Sequence, residues 1–161
     1  MILEDFQGDV ADWQYVSDRV MGGVSDGTAV LETEGETTFA RLTGEVSTAN
    51  NGGFVQMRRV LPDNFPPDAT GLNLVVRGNG EPYYIHLRTQ ASRRPWQFFQ
   101  ASFPSTNTWQ DVVLTWDDFR PQGGLNGSLL PEDVISIGVV AYGRDHQADL
   151  SVASIAVLVP E

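Results

Sequence analysis

Apolar and polar positions alternate in short runs along this chain, with almost no helical periodicity. Leu72, Leu74 and Val76 alternate with Asn73, Val75 and Arg77. Tyr83, Ile85 and Leu87 alternate with Tyr84, His86 and Arg88, giving one apolar and one polar-aromatic face. A period of two predicts half-buried strands. Related signals predict strands over 28–32, 37–42, 53–61, 96–103 and 109–116, and two strongly apolar ones over 135–142 and 150–159. Gly35 marks a hairpin between the first two, and Gly78-Asn79-Gly80 reads as a hairpin turn between the two central strands. The stretch 62–67 holds three prolines and reads as a loop, and residues 6–13 are expected to lie across the edge of the core. Leu130 to Val134 predicts one short helical turn, with Pro131 at its first position.

About nine short strands separated by turn signals define an all-β chain. The expected architecture is an antiparallel β-sandwich of jelly-roll type, which manages its edges by pairing two sheets. No internal repeat, low-complexity tract or linker divides the sequence, so a single domain over residues 1–161 is expected.

Charge narrows the partners. All basic residues are arginine, and 10 of them against 21 acids give a net charge of −11. That balance opposes non-specific attraction to nucleic acid or anionic lipid. The absence of cysteine excludes disulfides, thiolate metal sites and a cysteine nucleophile. Residues 1–6 are too acidic and too short in apolar run for a signal peptide, and no apolar stretch is long enough to span a membrane. A cytoplasmic location is expected.

The least periodic stretch is Val16-Ser17-Asp18-Arg19-Val20-Met21-Gly22-Gly23-Val24-Ser25, which packs an acid, a base, hydroxyls and a glycine pair into ten residues. A second such stretch is Asn50-Asn51-Gly52-Gly53-Phe54, with Arg58 four residues beyond the phenylalanine. Two readings stay open. Asp18 and Arg19 pair with groups near Asn50, Asn51 or Arg58 and lock two loops over the end of the sandwich, or the same loops form the rim of a partner or ligand site.

These two stretches, with Trp13 ahead of the first, resemble the signature of the complex I intermediate-associated protein family. The segments Gly71 to Gly80 and Tyr84 to Arg88, and the aromatics Trp109 and Phe119, are similar to that family's central pattern. The resemblance covers essentially the whole chain. It implies a galactose-binding-like β-sandwich and a role in assembling NADH:ubiquinone oxidoreductase (respiratory complex I) through contacts with its subunits or intermediates. It carries no catalytic residues and no cofactor.

The residues themselves assemble no catalytic set. His86 and His146 are isolated, and neither has a histidine partner at metal-site spacing. The acid pairs Asp117-Asp118 and Glu132-Asp133 point opposite ways on a strand, unlike the facing carboxylates of a glycosidase. No loop has the calcium spacing of alternating aspartates before a glycine. Strand parity instead suggests a recognition face: if the two central strands pair, Arg77 meets Tyr84, His86 and Arg88, extended by Arg93, Arg94 and Trp96 at the next turn. Forked guanidiniums beside aromatic rings suit carboxylates, sugars or a peptide. The expected function is a non-catalytic assembly domain, attached to a membrane only through a protein partner; the alternative is a carbohydrate- or small-ligand-binding module.

Overall fold

The computed structural model describes residues 2–7 and 12–160. Twelve strands are present among them: β1 (Ile2–Glu4), β2 (Gln14–Ser17), β3 (Asp26–Glu34), β4 (Thr37–Val46), β5 (Phe54–Val60) and β6 (Gly71–Gly78). They continue with β7 (Tyr83–Thr89), β8 (Phe98–Phe103), β9 (Gln110–Thr115), β10 (Arg120–Gln122), β11 (Val134–Tyr142) and β12 (His146–Leu158). One antiparallel sheet runs β3-β4-β12-β6-β9, with β1 also on β12; the other runs β10-β8-β7-β11-β5-β2. The long β12 accommodates three partners because β4 pairs with residues 146–152 and β1 with Ile155 and Ala156.

Each sheet turns its apolar parity inward. Leu42, Leu72, Leu74, Val76, Leu150 and Ile155 of the first sheet meet Val55, Met57, Ile85, Leu87, Ile137 and Val139 of the second in one core. The β3–β4 hairpin turns on Gly35-Glu36, in register from Glu34 opposite Thr37. Pro131–Asp133 forms a 3₁₀ turn with proline in its first turn. Of the stretch 6–13, residues 8–11 lie outside the described residues; the Phe6 and Trp13 rings pack tilted, 5.8 Å apart, on the flank of the core.

One expectation of pairing fails. The strands β6 and β7 are consecutive in sequence but belong to different sheets. Gly78-Asn79-Gly80 is therefore a crossover between sheets and not a hairpin turn. The reason lies in what clasps it: the Gly78 N–H donates to the Thr106 carbonyl at 2.7 Å, and Asn79 Nδ2 donates to the Gln147 carbonyl at 2.8 Å. The buried Tyr83 hydroxyl donates to Asn79 Oδ1 at 2.6 Å and accepts from the Asp149 N–H of β12 at 2.8 Å. Burial pushes this phenol up to about 12. Tyr83→Phe leaves the Asp149 N–H short of an acceptor, and is expected to cost about 1–2 kcal/mol in a urea-unfolding measurement.

Candidate functional site

Both glycine-rich stretches converge on a single carboxylate. Ser17 ends β2, and its side chain accepts from the Arg19 N–H, starting a 3₁₀ turn over Asp18–Met21 that closes at Gly22 with φ +86°. This turn directs Asp18, 0% exposed, into the end of the sandwich. Its Oδ1 accepts from the Ser25 N–H at 2.9 Å, and its Oδ2 from the Ser25 hydroxyl at 2.5 Å. From the second stretch, the Gly53 and Phe54 N–H groups donate to Oδ2 at 2.6 and 3.3 Å. Burial alone would raise this acid; the donors from Ser25, Gly53 and Phe54 outweigh it and hold the carboxyl below its usual range.

The glycines follow from that carboxylate. A Cβ on Gly23 or on Gly52 would lie inside the van der Waals envelope of the Asp18 side chain. Two chain segments therefore press against one acid, and only glycine allows the approach. Further ties close the knot. Ser25 Oγ accepts from the Ser47 N–H at 2.8 Å, the Gly143 N–H donates to the Gly53 carbonyl at 2.8 Å, and the Thr48 N–H donates to Asp145 at 2.7 Å. Asn50 takes a left-handed backbone, φ +59°, in the 3₁₀ turn Ala49–Asn51.

Arg19 and Arg58 do not join this carboxylate. Arg19 Nε donates to the Ser25 carbonyl at 3.0 Å, and its Nη2 lies 3.9 Å from Asp26 at the surface. Arg58 sits opposite Gln14 and Gly138 on β5, pointing away from the core. Asp18 is held by backbone and hydroxyl donors, and no arginine among the described residues reaches it. With Asp18 inward, the turn leaves Val20 76%, Met21 58% and Val24 42% exposed, an apolar tip on a fastened base.

The second expected surface divides between two faces. Because β6 and β7 lie in different sheets, Arg77 stands with Glu34, whose carboxylate it holds at 3.0 and 2.6 Å. It also covers Trp109 and Phe39, 4.6 and 5.2 Å from their ring centroids. Tyr84, His86 and Arg88 occupy the outer face of the other sheet. There His86 stacks on Phe98 at 3.9 Å, lies edge-on to Tyr142 at 5.3 Å, and shares a 2.8 Å hydrogen bond with Gln100. Burial pulls its imidazole down to about 4, against a weaker opposing effect of Gln100. Phe98 and Tyr142 complete this cluster, and their outward parity on β8 and β11 is the sequence signal for it.

Arg88 is held by its own turn, with Nη1 donating to the Arg94 and Pro95 carbonyls at 3.0 and 3.1 Å. The Arg93 and Arg94 N–H groups share Gln97 Oε1. Trp96 stands 59% exposed on the turn, outside the aromatic cluster. The Arg144-Asp145-His146 turn forms no dyad: Asp145 accepts from Thr48, and His146 Nδ1 bonds the Arg144 carbonyl. Among the described residues no cluster of acids and histidines is placed to hold a metal ion, and no helix is long and apolar enough to cross a membrane.

Two facing antiparallel sheets with loops knotted at one end define a jelly-roll β-sandwich of the galactose-binding-like type. Solved structures share it. A family 11 carbohydrate-binding module from Clostridium thermocellum, in complex with a β-1,3-1,4-mixed-linked tetrasaccharide, is 17% identical, with 98% of this chain and 94% of that one covered at a TM-score of 0.78. The family 11 module of the cellulosomal cellulase Lic26A-Cel5E of the same organism is 15% identical, covering 99% and 94%, at 0.81. An exo-β-agarase is 11% identical over 99% of this chain and 25% of its own, at 0.68. No curated protein matches the sequence significantly. The sequence profile of the complex I intermediate-associated protein 30 family matches residues 4–152. The chain belongs to that family.

Proposed function

We propose that this chain is a non-catalytic binding domain that assists assembly of respiratory complex I through protein–protein contacts, on the cytoplasmic side of the membrane and without a spanning segment of its own. Family membership supports the reading. The observation that carries it is the apolar tip Val20, Met21 and Val24, exposed on a turn whose base is fastened by Asp18. Exposed aliphatic groups on a rigid support lose little entropy on docking, which is what an interface anchor requires.

The test is affinity capture from mildly solubilised native membranes, using the tagged chain and a Val20→Ser/Met21→Ser variant. The expected result is retention of complex I subunits by the parent and their loss from the variant, at an unchanged melting temperature. Capture of none of these subunits, or equal capture by both proteins, overturns the reading.

A carbohydrate-binding role is the second reading, favoured by the likeness to the two family 11 modules. It predicts saturable binding of a mixed-linked β-glucan tetrasaccharide that is lost in Tyr84→Ala. In the cluster on that face, His86 and Phe98 already stack and Tyr84 meets Tyr142 edge-on, which weighs against it.

A further inference from the structure

The outer face of the β10-β8-β7-β11-β5-β2 sheet also holds a groove, and strand register fixes its shape. Gly138 of β11 lies opposite Arg58 of β5 on one side and His86 of β7 on the other; Ser136 lies opposite Val60 and Arg88. Arg58 and Arg88 therefore stand diagonally across β11, with the small Ser136 side chain on the open side and Gly138 covered by the Gln56 side chain. Neighbouring strands about 4.8 Å apart put the two backbone positions roughly 12 Å from one another, within reach of guanidiniums converging on one group. Gln14, Ser136, Val60 and Ile135 join them in lining a depression of about 590 Å³.

Arg58 and Arg88 give the groove its charge. Arg19, Arg41, Arg59, Arg77 and Arg144 each have an acid within ion-pair distance. The Arg58 side chain has neither a hydrogen bond nor an ion pair among the described residues. Arg88 bonds only backbone carbonyls, those of Ser92, Arg94 and Pro95, which fix its position without cancelling its charge. Burial first, and then the charge of Arg58, lower Arg88 below the usual guanidinium range, as expected of two cations facing one space. Asp12, the carboxylate lining the depression, lies 3.6 Å from Arg59.

The rim selects the kind of anion. Val60 is 75% exposed, and Ile135 and Pro95 lie beside it. An aliphatic rim suits apolar side chains, whereas sugars rest on open aromatic faces. We propose that this groove receives an acidic, partly aliphatic peptide segment of a protein partner, with a carboxylate between Arg58 and Arg88 above Ser136, and neighbouring apolar side chains on Val60 and Ile135. The proposal rests on the chain being a protein-binding domain and adds the chemistry of what it binds.

Calorimetric titration of the full chain with a capped heptapeptide alternating glutamate and valine tests it. Saturable binding is expected, weakened about tenfold in Arg58→Gln and weakened again as salt rises from about 50 to about 300 mM. The glutamine–valine counterpart should not bind. Arg58→Gln removes no internal bond, so its melting temperature should match the parent. Equal affinity in Arg58→Gln, equal binding of the uncharged peptide, or no binding of the acidic peptide overturns the proposal. Binding of an oligogalacturonate in place of the peptide also overturns it and assigns the groove to acidic polysaccharide. Peptide binding through Arg58 with no complex I subunits captured would sink the assembly role and leave the groove standing; the reverse would leave only the Val20–Met21 tip.

Discussion

Asp18→Ala is expected to lower the melting temperature by about 8 °C, corresponding to about 3 kcal/mol for a chain of this size. The loss exceeds that of an ordinary surface acid because four donor groups, three of them backbone N–H, point at this carboxylate inside the fold. Removing the acceptor strands them away from water. Asp18→Asn should cost nearly as much, since the amide presents N–H where Ser25 or Gly53 already donates. Gly52→Ala should destabilise by a comparable amount while changing no charge, because its Cβ displaces the same carboxylate. Differential scanning calorimetry of the three variants checks this. An alanine variant melting within about 2 °C of the parent would show that the carboxylate is dispensable to the fold. The pH dependence has a definite sign. The folded acid lies below the 3.8 of a free aspartate, so its contribution is complete above that pH and disappears as pH falls through the lower folded value.

His86 gives a second, separate acid limb. In the unfolded chain imidazole takes a proton below 6.5, while in the fold burial against Phe98 and Tyr142 delays protonation to about 4. Between those values the unfolded state binds the extra proton, so stability falls as pH drops from 6.5 and levels off below about 4. The full difference is on the order of 3 kcal/mol. His86→Gln should therefore flatten the curve of stability against pH between about 6.5 and about 4 and leave the loss below it, where Asp18 titrates. Urea unfolding at half-unit pH steps measures both. Parallel curves for the variant and the parent would mean that His86 protonates in the fold as easily as out of it.

Much of the architecture was legible because alternation writes burial into local sequence. Leu72, Leu74 and Val76 face the core, and so do Tyr83, Ile85 and Leu87. The strands that escaped, β1, β2 and β10, are three or four residues long, too short to show a period. Which strands pair is another matter. Nothing local to Gly78-Asn79-Gly80 says that the Tyr83 hydroxyl will reach the backbone of Asp149, 66 positions later, and so carry the chain to the opposite sheet. The same limit governed the candidate surfaces. Parity correctly set Tyr84, His86 and Arg88 on one face but could not separate them from Arg77. The two glycine-rich stretches stood out as unusual chemistry, yet only the fold shows that Asp18 fits the space vacated by Gly23 and Gly52, and that Arg58 turns outward.

The positions of β11 and β12 bear on how the chain is made. Each lies inside its sheet, β12 between β4 and β6 and β11 between β5 and β7, and these two strands follow all the others in sequence. A nascent chain that has emerged only as far as residue 133 can form the β3–β4, β2–β5, β6–β9 and β7–β8 ribbons, but nothing joins them into sheets. Four strand edges, those of β4, β6, β5 and β7, then wait with open backbone groups until residues 134–158 have left the ribosome. Sheet formation therefore waits for β11 and β12, and the interval before they emerge is when the open edges are most exposed to pairing with other chains.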